Sequence, residues 1–167
     1  GDDCAVLAFD KTHYQLFTCD MIVEDVDFTR RDKPYEVGRK AIAVQISDIA
    51  ACAGTPRYCL ISVGLPPATP AERVDALLKG MRDTAEAYGV NIVGGDLSRS
   101  QKMTIDVSML GVVEKKKLLL RRGARPDDIL FVTGALGVSI RGKHLNFIPR
   151  VLEAAFLSRN FKPHSVM

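Results

Sequence analysis

Tyr88-Gly89-Val90-Asn91-Ile92-Val93-Gly94-Gly95-Asp96 decides how the chain is read. A helical pattern ends at Gly89, a short β-branched run follows, and two glycines then lead to a carboxylate. The run Asn91 to Val93 suits a short buried strand. Gly94 and Gly95 remove two side chains where that strand leaves the sheet, which allows unusual backbone angles or close approach of a ligand. Asp96 then stands at the mouth of the sheet, where α/β proteins tend to bind ligands. A tight turn with a surface aspartate is the alternative reading.

Upstream, two elements prepare for this strand. Thr69-Pro70-Ala71-Glu72 has the form of a capping box, and Val74, Leu77, Leu78, Met81, Ala85 and Tyr88 share one face of the helix it opens. That face reads as core. Pro34 opens an earlier helix that runs to about Gly54, with Val37, Ala41, Val44, Asp48 and Ala51 on one stripe. A carboxylate on an apolar stripe is expensive unless it is paired or metal-bound. The alternative is that Ser47 or Asp48 caps a restart of the helix.

The N-terminus reads as a hairpin, Cys4 to Phe9 against Tyr14 to Cys19, with its turn at Asp10 to His13. Antiparallel pairing brings Asp2 and Asp3 near Asp20, because hairpin ends meet. Residues 21–33 read as a surface loop, Arg57 to Leu65 as a strand, and Leu97 to Ser100 as a loop. Met103 to Val113 alternates as a half-buried strand, Asp128 to Thr133 reads as a final strand, and Pro149 to Leu157 as a helix. This order predicts an α+β fold with a mostly antiparallel sheet and helices on one face.

Composition narrows the function. The chain has 167 residues, 47% of them hydrophobic and 26% charged, as in ordinary globular domains. A net charge of +3 with scattered basic residues gives no sign of nucleic-acid binding. Cys4, Cys19, Cys52 and Cys59 show no C-x-x-C spacing, sit in apolar segments and favour a reducing compartment, hence a cytoplasmic protein. No run has the length of a membrane span. His13, His144 and His164 read as plain surface residues.

Asp2/Asp3, Asp20, Asp48 and Asp96 share a setting: each ends an apolar element beside Gly, Ser or Thr. If they converge, each pair of bare carboxylates at ~5 Å repels by roughly 3 kcal/mol at an effective dielectric of about 20. Oxygen-liganded Mg²⁺ removes that cost and leaves coordination positions open for phosphate. Arg121, Arg122 and Arg125 are candidate phosphate contacts, with a solvated basic loop as the alternative for Arg122. There is no P-loop and no kinase-type glycine loop, so an ATP site here rests on carboxylate-bound metal.

Five motifs in order carry a resemblance. They are Gly1-Asp-Asp-Cys-Ala-Val6, Thr18-Cys-Asp-Met-Ile-Val-Glu-Asp-Val-Asp-Phe28, Val37 to Ala51, Tyr88 to Asp96, and Leu120-Arg-Arg-Gly-Ala-Arg-Pro126. Together they resemble the thiamine-monophosphate kinase family, within the wider group that includes aminoimidazole ribonucleotide synthetase. The resemblance implies phosphorylation of thiamine phosphate to thiamine diphosphate, with ATP as co-substrate and several Mg²⁺ ions. It implies Asp3, Thr18, Cys19, Asp20, Asp48 and Asp96 as metal ligands. Gly95, Asp96 and Arg121 would contact the nucleotide, and Asp27 the thiamine phosphate. The family usually carries His at the position of Asp27 and Thr at that of Cys19. It implies homodimers whose N-terminal domains pair their sheets, edge to edge, into a barrel across the interface. It also implies residues 1–137 as the ATP- and Mg-binding domain and 138–167 as the start of a largely missing C-terminal domain. Two alternatives stay open: a sister ATP-using enzyme acting on another small substrate, and a non-catalytic nucleotide-binding or dimerisation module.

Overall fold

The computed structural model describes residues 2–161 and 163–167; Gly1, which opens the first motif, lies outside them. Strand β1 (Ala5–Ala8) and strand β2 (His13–Val23) form the expected hairpin, with Ala5 opposite Phe17. Helix α1 (Pro34–Ala51) leads to strand β3 (Thr55–Leu65), helix α2 (Ala71–Ala87) and strand β4 (Asn91–Arg99). Strand β5 (Thr104–Glu114) follows, then helices α3 (Lys143–Asn146) and α4 (Val151–Asn160). The sheet order is β1-β2-β5-β3-β4; the β3–β4 pair is parallel and the others antiparallel. This is the α+β fold with a mostly antiparallel sheet that the sequence predicts.

One face of the sheet is covered. Leu16 and Ile22 of β2, Ile61 and Val63 of β3, and Ile105, Val107 and Met109 of β5 are buried with Ile42, Ile46 and Ile49 of α1 and Leu77 and Met81 of α2. Each fully buried Ile or Leu contributes about 1.5–3 kcal/mol, so this face fixes where α1 lies and therefore where Asp48 lies. The two helices cross in near backbone contact. A Cβ on Gly38 would stand 2.1 Å from the Leu77 carbonyl oxygen, and one on Gly80 would stand 2.0 Å from that of Tyr35. The other face alternates outward and stays open, with Phe17, Met21, Tyr58 and Leu60 exposed.

Several local expectations are corrected. β2 continues through Asp20 to Val23, because all eleven of its residues pair with β5. β4 does not end at Val93 or give way to a loop at Leu97. A bulge at Val93 lets Gly94 and Gly95 pair with Leu60 and Ile61, and the strand runs on to Arg99. Thr69 makes no capping box: its hydroxyl donates to the Pro66 carbonyl at 2.7 Å, and α2 starts at Ala71 without a side-chain cap. Residues 128–133 form no strand. Ile129, Leu130 and Phe131 are 78%, 90% and 83% exposed, with no neighbouring strand to pair with. α3 and α4 fold back, burying Leu145 and Ala154, and Arg39 of α1 holds the Leu145 and Phe147 carbonyls at 2.9 and 2.7 Å.

Candidate active site

The hairpin and α1 meet at the middle of β2. Asp48, near the C-terminal end of α1, accepts a hydrogen bond from the Thr18 hydroxyl at 2.7 Å. Burial pushes the Asp48 pKa up from 3.8 to about 6, against the Thr18 hydrogen bond, with the charges of Asp20 and Asp3 adding to the rise. Asp3, Asp20, Asp48 and Thr18 are therefore brought together, as hairpin pairing predicts. Arg121 closes the group: its guanidinium pairs with the Asp3 carboxylate, and its backbone N–H donates to Asp2 Oδ1 at 2.7 Å. Among the described residues, no three or more His, Cys, Asp or Glu side chains are set to hold an ion as they stand. In this arrangement the Arg121 cation partly neutralises the cluster.

Asp96 does not join them. Across the sheet, Asp20 lies opposite Val107, Val107 opposite Ile61, and Ile61 opposite Gly95. Three strand spacings separate Asp20 from Gly95, about 14 Å, too far for one ion. Sequence reasoning missed this because β5 inserts between β2 and β3. Gly95 itself has a packing reason: a Cβ there would stand 1.9 Å from the Ile61 carbonyl oxygen. Gly95 and Asp96 border an open cleft of about 600 Å³ between α2 and β4, lined also by Ile61, Leu78, Met81 and Arg82.

Cys19 is the exposed cysteine of the four, contrary to the apolar setting expected for all of them. Its Sγ lies 3.5 Å from both Asp106 carboxylate oxygens, and Ser108 donates to it at 3.3 Å. The thiol therefore points away from Asp48, and only the backbone carbonyl of Cys19 remains as an oxygen donor. Asp27 spends one carboxylate oxygen on the Val23 N–H at 2.8 Å, inside its own turn. Its carbonyl accepts from Lys40 Nζ at 2.6 Å, and that ammonium also lies 3.2 Å from His144 Nδ1. Burial pulls the Lys40 pKa down, against the charges of Asp27 and Asp32. His144 thus packs half-buried beside Lys40 rather than lying free at the surface, while His164 is exposed as expected and pairs with Asp128 at 2.8 Å. The backbone N–H of Arg125 donates to Asp128 at 2.8 Å.

Lys40 and Gln45 are functional candidates that the motif pattern does not mark; their signal in the sequence is a polar residue inside a nearly all-apolar helix. Gln45 is fully buried; its amide nitrogen donates to the Asp20 carbonyl at 3.3 Å, while its Oε1 has no partner among the described residues. The carboxylates of Asp3, Asp20 and Asp48, a carboxyl whose charge is disfavoured, and an orphaned buried acceptor fit a hard divalent cation. Also among the described residues, no helix is long and apolar enough to cross a membrane.

Known proteins are similar to this chain over most of its length. The chain is 37% identical over 147 residues to the thiamine-monophosphate kinase of Bacillus subtilis, covering 87% of this chain and 45% of that protein. It is 37% identical over 176 residues to that of Rhodopirellula baltica, covering all of this chain and 55% of that one. The crystal structure of thiamine monophosphate kinase from Aquifex aeolicus superposes with a TM-score of 0.83 at 29% identity, over 94% of this chain and 59% of that one. A structure described as AaThiL complexed with AMPPCP and TMP superposes with a TM-score of 0.86 at 30% identity, over 95% and 57%. The chain thus spans about half the length of the relatives it matches. The family profile "AIR synthase related protein, N-terminal domain" matches residues 1–113, and the chain belongs to that family.

Proposed function

We propose that this chain is the nucleotide- and metal-binding half of a thiamine-phosphate kinase that transfers a phosphoryl group from ATP to thiamine phosphate. The observation that carries the reading is the meeting of Asp3, Asp20 and Asp48 beside the middle of β2. Its support from relatives is the AaThiL complex with AMPPCP and TMP.

Asp3, Asp20 and Asp48 would hold Mg²⁺, with Thr18 orienting Asp48 and the Cys19 carbonyl as a further oxygen donor. Bound there, the cations supply charge neutralisation for the transferred group. Gly95 and Asp96 border the cleft that receives the nucleotide, and the distance back to Asp20 is on the scale of a nucleoside triphosphate. Asp96 would then serve a cation carried by the nucleotide rather than the one at Asp48. Arg121 would exchange Asp3 for a phosphate once cations occupy the cluster. Asp27 and Lys40 border the acceptor's place.

The open face of the sheet, with Phe17, Tyr58 and Leu60 exposed, suits a second copy, so the protein acts as a homodimer. The domain boundary falls at Gly137, and 138–167 begins a second domain whose first turns rest on α1. The four free thiols agree with a cytoplasmic site.

An assay of the full-length protein with ATP, Mg²⁺ and thiamine phosphate tests this. Thiamine diphosphate forms, and EDTA abolishes its formation. Turnover that ignores EDTA removes the metal mechanism. A second reading, a sister enzyme with another acceptor, is favoured by the Asp27 carboxylate being spent within its own turn. Product with another small acceptor, and none with thiamine phosphate, selects it.

A further inference from the structure

Gln45 raises a question that the motifs do not answer. It is fully buried in the middle of α1, one helical turn before Asp48 and on the same side of the helix. Its Nε2 reaches the Asp20 carbonyl at 3.3 Å, so the carboxamide lies between the two elements that carry Asp20 and Asp48. Its Oε1 is the buried side-chain acceptor without a partner among the described residues. Orphaned acceptors are rare and costly in folded proteins, and an apolar side chain of the same size would avoid the cost. From Ala41 to Ala50 the buried positions of α1 are otherwise Ala and Ile, and Gln stands at this one.

We infer that Gln45 is a positioning residue of the cation site: its amide nitrogen fixes the Asp20 backbone, and its carboxamide oxygen receives a water carried by the bound cation. The inference rests on the metal reading above and assigns a part to a residue outside the carboxylate set. Groups that orient a metal site from behind its ligands do so by such hydrogen bonds.

The test is a calorimetric titration of MgCl2 into the nucleotide-free protein, for wild type, Gln45→Met and Gln45→Glu. Gln45→Met binds Mg²⁺ about tenfold more weakly. Its metal-free melting temperature stays level or rises, because an orphaned acceptor is gone. Gln45→Glu keeps an oxygen in place and binds Mg²⁺ at least as tightly as wild type. A purely packing role predicts neither the split between affinity and stability nor the difference between Met and Glu. If Gln45→Met loses its fold, the wild type decides: its Gln45 carboxamide NMR signals move with Mg²⁺ and not with NaCl of equal ionic strength. Superimposable isotherms, or a carboxamide unmoved by Mg²⁺, overturn the inference and leave the kinase reading standing. Wild-type protein that takes up no Mg²⁺ removes both.

Discussion

The Thr18 hydroxyl donates to Asp48 at 2.7 Å and ties the middle of β2 to the end of α1. One hydrogen bond to an ionised carboxylate is worth about 1.5–3 kcal/mol, yet Asp48 still titrates near 6, because burial and the charges of Asp20 and Asp3 outweigh it. An acid with a folded pKa above its unfolded 3.8 takes up protons on folding. Its contribution to stability is fully present below 3.8 and is lost as pH rises through about 6. In EDTA, Asp48→Asn should therefore be more stable than wild type at pH 7 by about 1–2 kcal/mol, discounted for partial solvent screening. The difference shrinks toward pH 4. Paired thermal melts across that range check it.

Metal reverses the sign. Mg²⁺ binds the ionised carboxylate and raises the melting temperature of wild type by mass action. Asp48→Asn should lose most of that rise and nearly all turnover while keeping its fold, and so should Asp20→Asn. Melts with and without Mg²⁺, with circular dichroism as the fold control, separate this from simple unfolding. An active Asp48→Asn enzyme contradicts the role.

Hairpin pairing carried much of the site. Once β1 and β2 are antiparallel, Asp2 and Asp3 must approach Asp20, and the apolar stripe of α1 delivers Asp48. The position of Asp96 was not legible. It depends on β5 entering between β2 and β3, and on β4 lying parallel at the far edge, which are long-range choices that local pattern does not encode. Gly94 and Gly95 misled in a second way. They read as the exit from a strand but sit inside one, where at Gly95 β4 approaches the Ile61 carbonyl too closely for a Cβ. The run at 128–133 has strand composition, and strand composition without a neighbour yields no strand.

Gly38 and Gly80 carried no signal in the helical patterns, yet each fits against the carbonyl of the other helix. Gly80→Ala would place a methyl 2.0 Å from the Tyr35 oxygen, and Gly38→Ala one 2.1 Å from that of Leu77. Ordinary helix propensity favours Ala over Gly by about 1 kcal/mol, so isolated-helix reasoning predicts stabilisation. The crossing predicts the opposite: each substitution forces α1 and α2 apart and costs about 2–3 kcal/mol or more. Urea denaturation decides between them.

Glu24 anchors the loop that carries Asp27. It is 3% exposed, pairs with Arg30 and accepts the Met103 N–H at 3.0 Å. Burial alone would raise its pKa, but Arg30 and the Met103 N–H outweigh it and hold it below the usual 4.5. Its stabilising effect is present above 4.5 and is lost as pH falls through the lowered folded value. Glu24→Ala leaves a buried N–H without an acceptor and costs about 1–3 kcal/mol at pH 7. In the acid limb, the wild type and the variant converge.

The open face of the sheet yields the last prediction. Phe17, Leu110 and Tyr58 lie in one row across β2, β5 and β3, and Leu60 follows two residues beyond Tyr58. Phe17, Tyr58 and Leu60 are 41%, 49% and 51% exposed, while the opposite face of the same strands is filled by α1 and α2. An apolar sheet face of this kind is covered by another layer in stable folds, and a second copy would supply one. Leu60→Asp puts a charge at the centre of that contact and leaves the core untouched, since its side chain points away from the helices. Loss of an interface centre of this kind weakens association by at least about 30-fold. Sedimentation equilibrium should show a dimer for wild type and a monomer with an unchanged far-UV circular dichroism spectrum for Leu60→Asp at the same concentration. A wild type that sediments as a monomer, or a Leu60→Asp variant that dimerises as well as wild type, rules out this face as the interface.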